Sequence, residues 1–351
     1  MQTFRSKLKN IQFQQSGSVS AKCPSNIALI KYWGKRDVQI PMNPSLSFTL
    51  NASHTQTKLI FSPKNSTETN LKVFLDNELK EDFVLKILTF FKRIHDFLPF
   101  LDQFDFEIHT HNTFPHSSGI ASSASGMGAL SLCLVELENE LGGELTEEEK
   151  LRKASFLARL GSGSACRSIY PGLTVWGKTN SVEGSSDLYA VPYPYEIHEI
   201  FRNFQDTILL IDEGQKEVSS TVGHQLMEGH PYAEQRFHSA EENLKLLIPI
   251  LKLGDLEGFG KIVEHEALSL HAMMMTSHPY FILMKPSTLK VIEEVWSFRK
   301  KTQLPLYFTL DAGANVHLLY PEKFKLEIES FIEDVLKSFC FKGKMIKDFS
   351  F

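Results

Sequence analysis

Basic charge, clustered cysteine and long apolar runs are what this sequence has little of. Its 37 Lys and Arg are outnumbered by 42 Asp and Glu, for a formal net charge of −5, so it lacks the basic face that a nucleic-acid partner requires. Small anions are not excluded, because a few cations gathered in one cleft outweigh a distant average. Cys23, Cys133, Cys166 and Cys340 are far apart and form no C-x-x-C. That fits reduced thiols better than a disulfide frame or a zinc site. No stretch reaches the ~18 apolar residues of a membrane span. Met1–Gln15 carries Arg5, Lys7 and Lys9 with no apolar core behind them. It does not read as a signal peptide, and the expected compartment is the cytoplasm. No repeat of solenoid length and no low-complexity tract is present.

What is present is a chain of 351 residues, long enough for two domains with ample cores. It is organised around Pro115–Ala129, P-H-S-S-G-I-A-S-S-A-S-G-M-G-A, which holds five Ser and three Gly. Ala124, Met127, Leu130, Leu134 and Leu137 then recur at helical spacing up to Gly142-Gly143. A loop of small residues feeding a helix N-terminus is an anion site, since free N–H groups and the positive end of the dipole converge there. The loop has no Gly-Lys-Ser/Thr, so a cation for bound phosphates must come from elsewhere in the chain. A Ser/Gly turn packed on a sheet is the alternative reading.

Ile27–Ile30 reads as a buried strand or a short turn of helix, followed by Lys31, Tyr32, Trp33, Gly34, Lys35, Arg36 and Asp37. Three cations interleaved with two aromatics suit a polyanion, or a solvated strand edge. Leu46, Phe48 and Leu50 alternate with Ser45, Ser47 and Thr49 as a half-buried strand. Strands are also expected over Thr55–Ser62, Leu71–Leu75, Phe104–Thr110, Gly172–Trp176, Asp206–Asp212, Leu304–Leu310 and Val316–Tyr320. Helices are expected over Asp82–Phe97, with Phe83, Ile87, Leu88, Phe91 and Ile94 on one side, and over Glu147–Leu160, opened by a Thr146–Glu149 capping box. Further helices are expected over Ala233–Leu253, Leu256–Leu270, Ser287–Arg299 and Phe324–Phe339. Ser219–Gly223 reads as a hydroxyl-rich turn, and Gly184–Tyr195 as the domain boundary. His109 and His111 share a strand face, where hydrogen-bonded spectators are commoner than metal ligands. His265 and His271 are six residues apart and do not share a helix face, which argues against a zinc helix. Arg167 follows a run of small residues and is a carboxylate or phosphate ligand or a loop ion pair. Asp311, in a Gly-containing turn, caps its own backbone or does chemistry.

Five motifs together resemble the diphosphomevalonate decarboxylase family, within the superfamily of galactokinase, homoserine kinase, mevalonate kinase and phosphomevalonate kinase. They are N-I-A-L-I-K-Y-W-G-K-R-D (26–37), F-P-H-S-S-G-I-A-S-S-A-S-G (114–126), G-S-G-S-A-C-R-S (161–168), S-S-T-V-G (219–223) and D-A-G-A-N (311–315). The first and third are long and specific to the decarboxylases, whereas the second is shared in looser form with the kinases. The chain departs from the commonest pattern at His116-Ser117-Ser118, at Ala314 and at His224, where the family usually has Thr-Ala-Ala, Pro and Met.

The resemblance implies a two-domain α+β fold, with an N-terminal domain like ribosomal protein S5 domain 2 (1–190) and a ferredoxin-like C-terminal domain (191–351) closing a cleft. It implies that ATP and (R)-5-diphosphomevalonate give isopentenyl diphosphate, ADP, phosphate and carbon dioxide, through phosphorylation of the C3 hydroxyl. Asp311 would orient that hydroxyl and accept its proton. An Asp of ordinary pKa ~3.9 is a weak base for an alcohol, so transfer should come late, with phosphoryl transfer. Lys31 would neutralise charge near the γ-phosphate, and Arg167, with Asn26, would aim the substrate carboxylate. Tyr32, Lys35, Ser162, Ser164 and Thr221 fall at substrate-binding positions, mostly at the diphosphate end. Pro115, Ser118, Gly119, Ala121, Ser122 and Ser123 fall in the ATP loop, with Ser122 or Ser123 as a ligand of the Mg²⁺ bridging the ATP phosphates. A homodimer is common in such families. Two alternatives remain: a kinase of the superfamily acting without decarboxylation, and a non-catalytic ligand-binding relative.

Overall fold

In the computed structural model, residues 2–8, 13–66, 70–114, 122–212, 214 and 220–350 are described. The chain opens with β1 (Gly17–Ile30), the short β2 (Lys35–Arg36) and β3 (Ile40–Pro41), the long β4 (Ser45–Pro63), β5 (Leu71–Leu75) and β6 (Glu78–Leu79). Then come α1 (Glu81–Ile94), β7 (Phe104–Asn112), α2 (Ser122–Glu138), α3 (Glu147–Gly161), β8 (Leu173–Trp176), β9 (Val191–Pro192) and β10 (Phe204–Leu209). The helices α4 (Ser220–Gln225), α5 (Ala233–Leu253), α6 (Leu256–Met275) and α7 (Pro286–Thr302) follow as a block. The chain closes with β11 (Tyr307–Thr309), β12 (Val316–Tyr320), α8 (Lys325–Asp334) and β13 (Met345–Ser350).

One mixed sheet runs β11-β12-β10-β13-β4-β7-β5-β6, with β1 and β8 also paired to β4 and β9 to β8. Its pairs are antiparallel except β5 with β7. α1, α2 and α3 pack on one part, where Phe90, Ile94, Leu134 and Phe156 meet Leu59, Phe61, Phe104 and Phe106. A second core joins Ile27, Ile30, Leu46 and Phe48 to Phe204, Ile208, Leu244, Leu247 and Val263, so apolar packing is continuous from β1 to α5 and α6. A third lies between β11–β12 and α7–α8, around Val291, Phe308, Leu318 and Ile328. The Thr146–Glu149 capping box forms as the sequence predicts, each residue bonding the other's main-chain N–H.

Several expectations change. Thr55–Ser62 is not a separate strand but the second part of β4, which bulges opposite β1. Its first part, Ser45–Leu50, is buried on both faces rather than one. The polar face is covered because Ser47 pairs with Thr174 of β8, Thr49 accepts the Gly172 N–H, and Ser45 meets an arginine. On α1, Ile87 and Ile94 are buried and Phe83 and Phe91 pack against the core as expected, but Leu88 is exposed and Phe90 is buried in its stead. Ser220–Gly223 is helical, within α4. Phe324–Phe339 is broken after Asp334. β13 was not expected.

Candidate active site

Three segments meet where β1 ends. Lys31 follows Ile30 directly and is only 2 % exposed. Its Nζ donates to Asp311 Oδ1 at 3.1 Å. Asp311 begins the turn between β11 and β12, so the pair joins the first part of the chain to the last. The carboxylate is 28 % exposed, leaving one side open. Burial draws the Lys31 ammonium below its ordinary pKa and the facing Arg167 adds to this, while Asp311 and Glu266 push it back up. An Asp that only capped its turn would have no need of a buried lysine.

Arg167 sits in the 3-10 turn Gly163–Ser168 that α3 feeds, and it is 3 % exposed. Its Nη1 donates to Ser45 Oγ at 2.6 Å, and Nε and Nη2 share Asn26 Oδ1 at 3.4 Å each. Asn26 Nδ2 in turn donates to Ser168 Oγ at 2.7 Å and the Ser164 carbonyl at 3.3 Å. These are neutral acceptors, so the loop ion pair is not the reading the structure supports. A buried guanidinium held by amides and hydroxyls keeps its charge for an incoming anion.

On the other side of Lys31 is an aromatic wall. The Tyr32 ring meets Trp176 edge-on at 4.6 Å and the His224 ring at 4.2 Å, and Trp33 lies 4.6 Å from His224. The Tyr32 hydroxyl is buried and has no hydrogen-bond partner among the described residues. Any side chain at Gly163 would run into it, since a Cβ there falls 2.9 Å from that oxygen. His224 Nδ1 accepts the Gly34 N–H at 3.0 Å. Gly34 has φ +93, and a Cβ on it would fall 2.7 Å from the Phe237 ring, so the turn that aims this N–H requires glycine. Burial, with Lys35 and Arg167 adding to it, holds the His224 pKa down to about 3. The ring is therefore neutral at pH 7, with its proton on Nε2.

Of the predicted residues, Lys31, Asp311, Arg167, Asn26, Ser164 and Tyr32 converge. Lys35 and Ser162 are half-buried at the margin, Lys35 donating to Gln39 at 3.4 Å. Thr221 is on α4, and its side chain lies outside the described residues. So do Pro115, Ser118, Gly119 and Ala121. Ser122 and Ser123 open α2, half-buried and exposed respectively. His109 bonds Glu107, and His111 bonds Asp76. Among the described residues, no group of three or more His, Cys, Asp or Glu could hold a metal ion.

The sequence reading missed Ser45, Asn43 and Glu266. Glu266 carried a signal, because it stands on the stripe of Ile262, Val263 and Leu270, where a carboxylate needs a buried partner.

The sequence and the fold are matched by known proteins. Residues 23–190 match the model of the diphosphomevalonate decarboxylase-like N-terminal domain, and 207–350 that of the mevalonate 5-diphosphate decarboxylase C-terminal domain. The chain belongs to the diphosphomevalonate decarboxylase family. The diphosphomevalonate decarboxylase of Ganoderma lucidum is 28% identical over 342 residues, 91% of this chain and 82% of the relative. A structure of MDDEF in complex with MVAPP, AMPPCP and magnesium is 30% identical with a TM-score of 0.82, and covers 96% of this chain and 97% of that one. The mevalonate diphosphate decarboxylase of Staphylococcus aureus is 29% identical with a TM-score of 0.81, over 97% and 98%.

Proposed function

We infer that this enzyme uses ATP to decarboxylate (R)-5-diphosphomevalonate to isopentenyl diphosphate in the mevalonate pathway. The observation that carries the reading is the pair of buried Lys31 with half-open Asp311, together with an arginine whose described bonds go to neutral acceptors.

Hydroxide is a poor leaving group, so the C3 hydroxyl must be phosphorylated before carbon dioxide can leave. Asp311 orients that hydroxyl with its exposed side and takes its proton as the phosphoryl group transfers. Lys31 holds the carboxylate from the buried side and offsets negative charge at the transferring phosphate. Arg167, braced by Asn26 and Ser45, keeps the substrate carboxylate ionised and aimed, so that the electron pair of the breaking C–CO₂ bond forms the double bond to C3 as phosphate departs. The Tyr32 hydroxyl, unpartnered among the described residues, takes the diphosphate with Lys35, Ser164 and Thr221, and Ser162 also binds substrate. Pro115, Ser118, Gly119 and Ala121 would cradle ATP with Ser122 and Ser123. The first turn of α2 fits a phosphate, since it carries no acidic residue and opens on two hydroxyls. Mg²⁺, when bound with ATP, neutralises phosphate charge, and Ser122 or Ser123 would be its hydroxyl ligand.

The chain is an α+β protein with N- and C-terminal family domains. We read the finer division as 1–190, like ribosomal protein S5 domain 2, and 191–351, ferredoxin-like. The antiparallel β10–β13 set backed by α5–α8 supports the second, and the β5–β7 parallel pair beside α1–α3 supports the first. We read the protein as a homodimer, which its mass in solution tests. No helix among the described residues is long and apolar enough to cross a membrane. The four buried free thiols support a cytoplasmic compartment.

One incubation with ATP, Mg²⁺ and diphosphomevalonate tests the reaction, and ADP and carbon dioxide should appear in equal amounts. ADP alone would mark a kinase, and neither product a binding protein. In Asp311→Asn both products should fall together by roughly 10²–10⁴-fold, with ATP affinity kept. Near-normal turnover would return Asp311 to a local turn.

A further inference from the structure

α6 touches the Lys31–Asp311 pair at two points, through residues with no role in the mechanism above. Glu266, fully buried, accepts the main-chain N–H of Lys31 on Oε2 at 2.8 Å. Arg236 donates to the same oxygen at 2.5 Å and to Oε1 at 3.2 Å, and Asn243 donates to Oε1 at 2.6 Å. The carboxylate is thus locked from three sides. Asn43 Nδ2 completes the hold on Lys31 by donating to its carbonyl at 2.9 Å. Five residues along the helix, His271 is 1 % exposed, with Nε2 3.1 Å from the main-chain carbonyl of Asp311. A carbonyl only accepts, so Nε2 carries the proton. Burial keeps the ring neutral by drawing its pKa to about 4.

We propose that α6 is the positioning element of the catalytic pair, with Glu266 fixing the main chain of Lys31 and His271 that of Asp311. Lys31 and Asp311 lie 280 residues apart in the chain. Their side chains meet at a 3.1 Å hydrogen bond, which a small rotation of either backbone would part. A helix rises about 1.5 Å per residue and is stiff over this length, so its two bonds act as a ruler between base and cation. Neither residue touches reacting atoms. Loosening the grip should cost turnover and spare affinity, because the diphosphate and ATP are held elsewhere. The inference rests on the decarboxylase reading of the pair.

The test uses the full chain with ATP, Mg²⁺ and diphosphomevalonate. His271→Phe fills the space and removes the donor, while His271→Gln restores an N–H donor. We expect kcat of the Phe variant to fall at least 10-fold with both KM values within twofold, and the Gln variant to regain most of it. Glu266→Gln alone would strand Arg236, so the second arm is built on Arg236→Met, where a neutral residue at 266 leaves no unpaired buried charge. There, Glu266→Met should cost at least 10-fold in kcat against Glu266→Gln, whose carbonyl still accepts the Lys31 N–H. A purely structural role would lower stability in each pair without separating its members in kcat. The third arm needs no variant, since nitrogen NMR of the wild-type chain should find His271 as the neutral Nε2–H tautomer from pH 5 to 8. Full kcat in a folded His271→Phe chain overturns the proposal. So does equal kcat within either pair, or a His271 ring that titrates near its ordinary value or carries its proton on Nδ1. A wild-type chain that makes no carbon dioxide overturns the decarboxylase reading instead, and leaves the NMR arm to judge the His271 contact.

Discussion

Arg167 illustrates how a single side chain is prepared for its task. Its fork is held in plane by one hydroxyl and one amide oxygen, Ser45 and Asn26. A lysine keeps the charge but cannot be braced at both places. Arg167→Lys should therefore lose at least ~10²-fold in turnover, the scale of a misaligned reacting group. Steady-state assay decides it, and retained activity would mean that charge alone suffices. The two buried histidines make a different prediction. His224 and His271 are held down to pKa values of about 3 and about 4, against an ordinary 6.5. Above pH 6.5 both are neutral, folded or unfolded, and cost nothing. Below it the unfolded chain binds protons that the folded chain refuses, so stability falls as pH drops toward about 4. At pH 5 each should cost about 2 kcal/mol relative to pH 7. Denaturant melts at the two pH values measure the loss, and His224→Met should remove about half of that contribution. An unchanged difference would mean that His224 is not held neutral in the fold.

At the scale of elements, α2 was legible from its sequence because its apolar positions and the small residues before it point the same way. Ser122→Ala removes a hydroxyl from its first turn and leaves the N–H groups. ATP use should weaken severalfold through KM for ATP, with diphosphomevalonate affinity little changed. A variant with normal ATP kinetics would make Ser122 a packing residue. Helices such as α5, and strands such as β12, were legible for the same reason, a clean period bounded by turn residues. The limits of the reading have physical causes. Ser45, Ser47 and Thr49 looked solvent-facing because alternation reports two unlike faces, not which of them meets water. Their face is buried by β8 and Arg167, a non-local fact. β13 is short, half-buried and carries Lys347 and Asp348, so its pattern is weak until β10 and β4 stand on either side. The catalytic residues could be named one by one, but no local pattern indicates that a residue near each end of the chain will meet.

That meeting depends on how the whole molecule is joined, and β13 carries the joint. It pairs with β10 along Phe204–Leu209 but meets β4 at one register pair, Ser350 with Leu50. Just beyond, β4 slips its register against β1, between Thr49 and His54, so the N–H groups of the intervening residues lack ladder partners. Asp348 supplies them. It is 3 % exposed, and its Oδ1 accepts from Asn51 at 2.8 Å and Ala52 at 2.9 Å, while Oδ2 accepts from Ser53 at 2.7 Å. One carboxylate from the end of the chain thus satisfies a bulge near its beginning, with charge-assisted bonds worth more than neutral ones. Asp348→Asn keeps the size but turns one acceptor into an NH₂ group facing backbone N–H donors. Stability should fall by about 1–3 kcal/mol, the cost of leaving a buried donor without an acceptor. The midpoint of denaturant unfolding measures it. The seam joins the strands that carry the two ends of the chain, so if it helps to set the Lys31–Asp311 approach, a folded Asp348→Asn chain should also lose kcat while ATP affinity holds. A variant with wild-type midpoint and turnover would show that apolar packing between Ile27–Ile30 and α5–α6 joins the halves unaided.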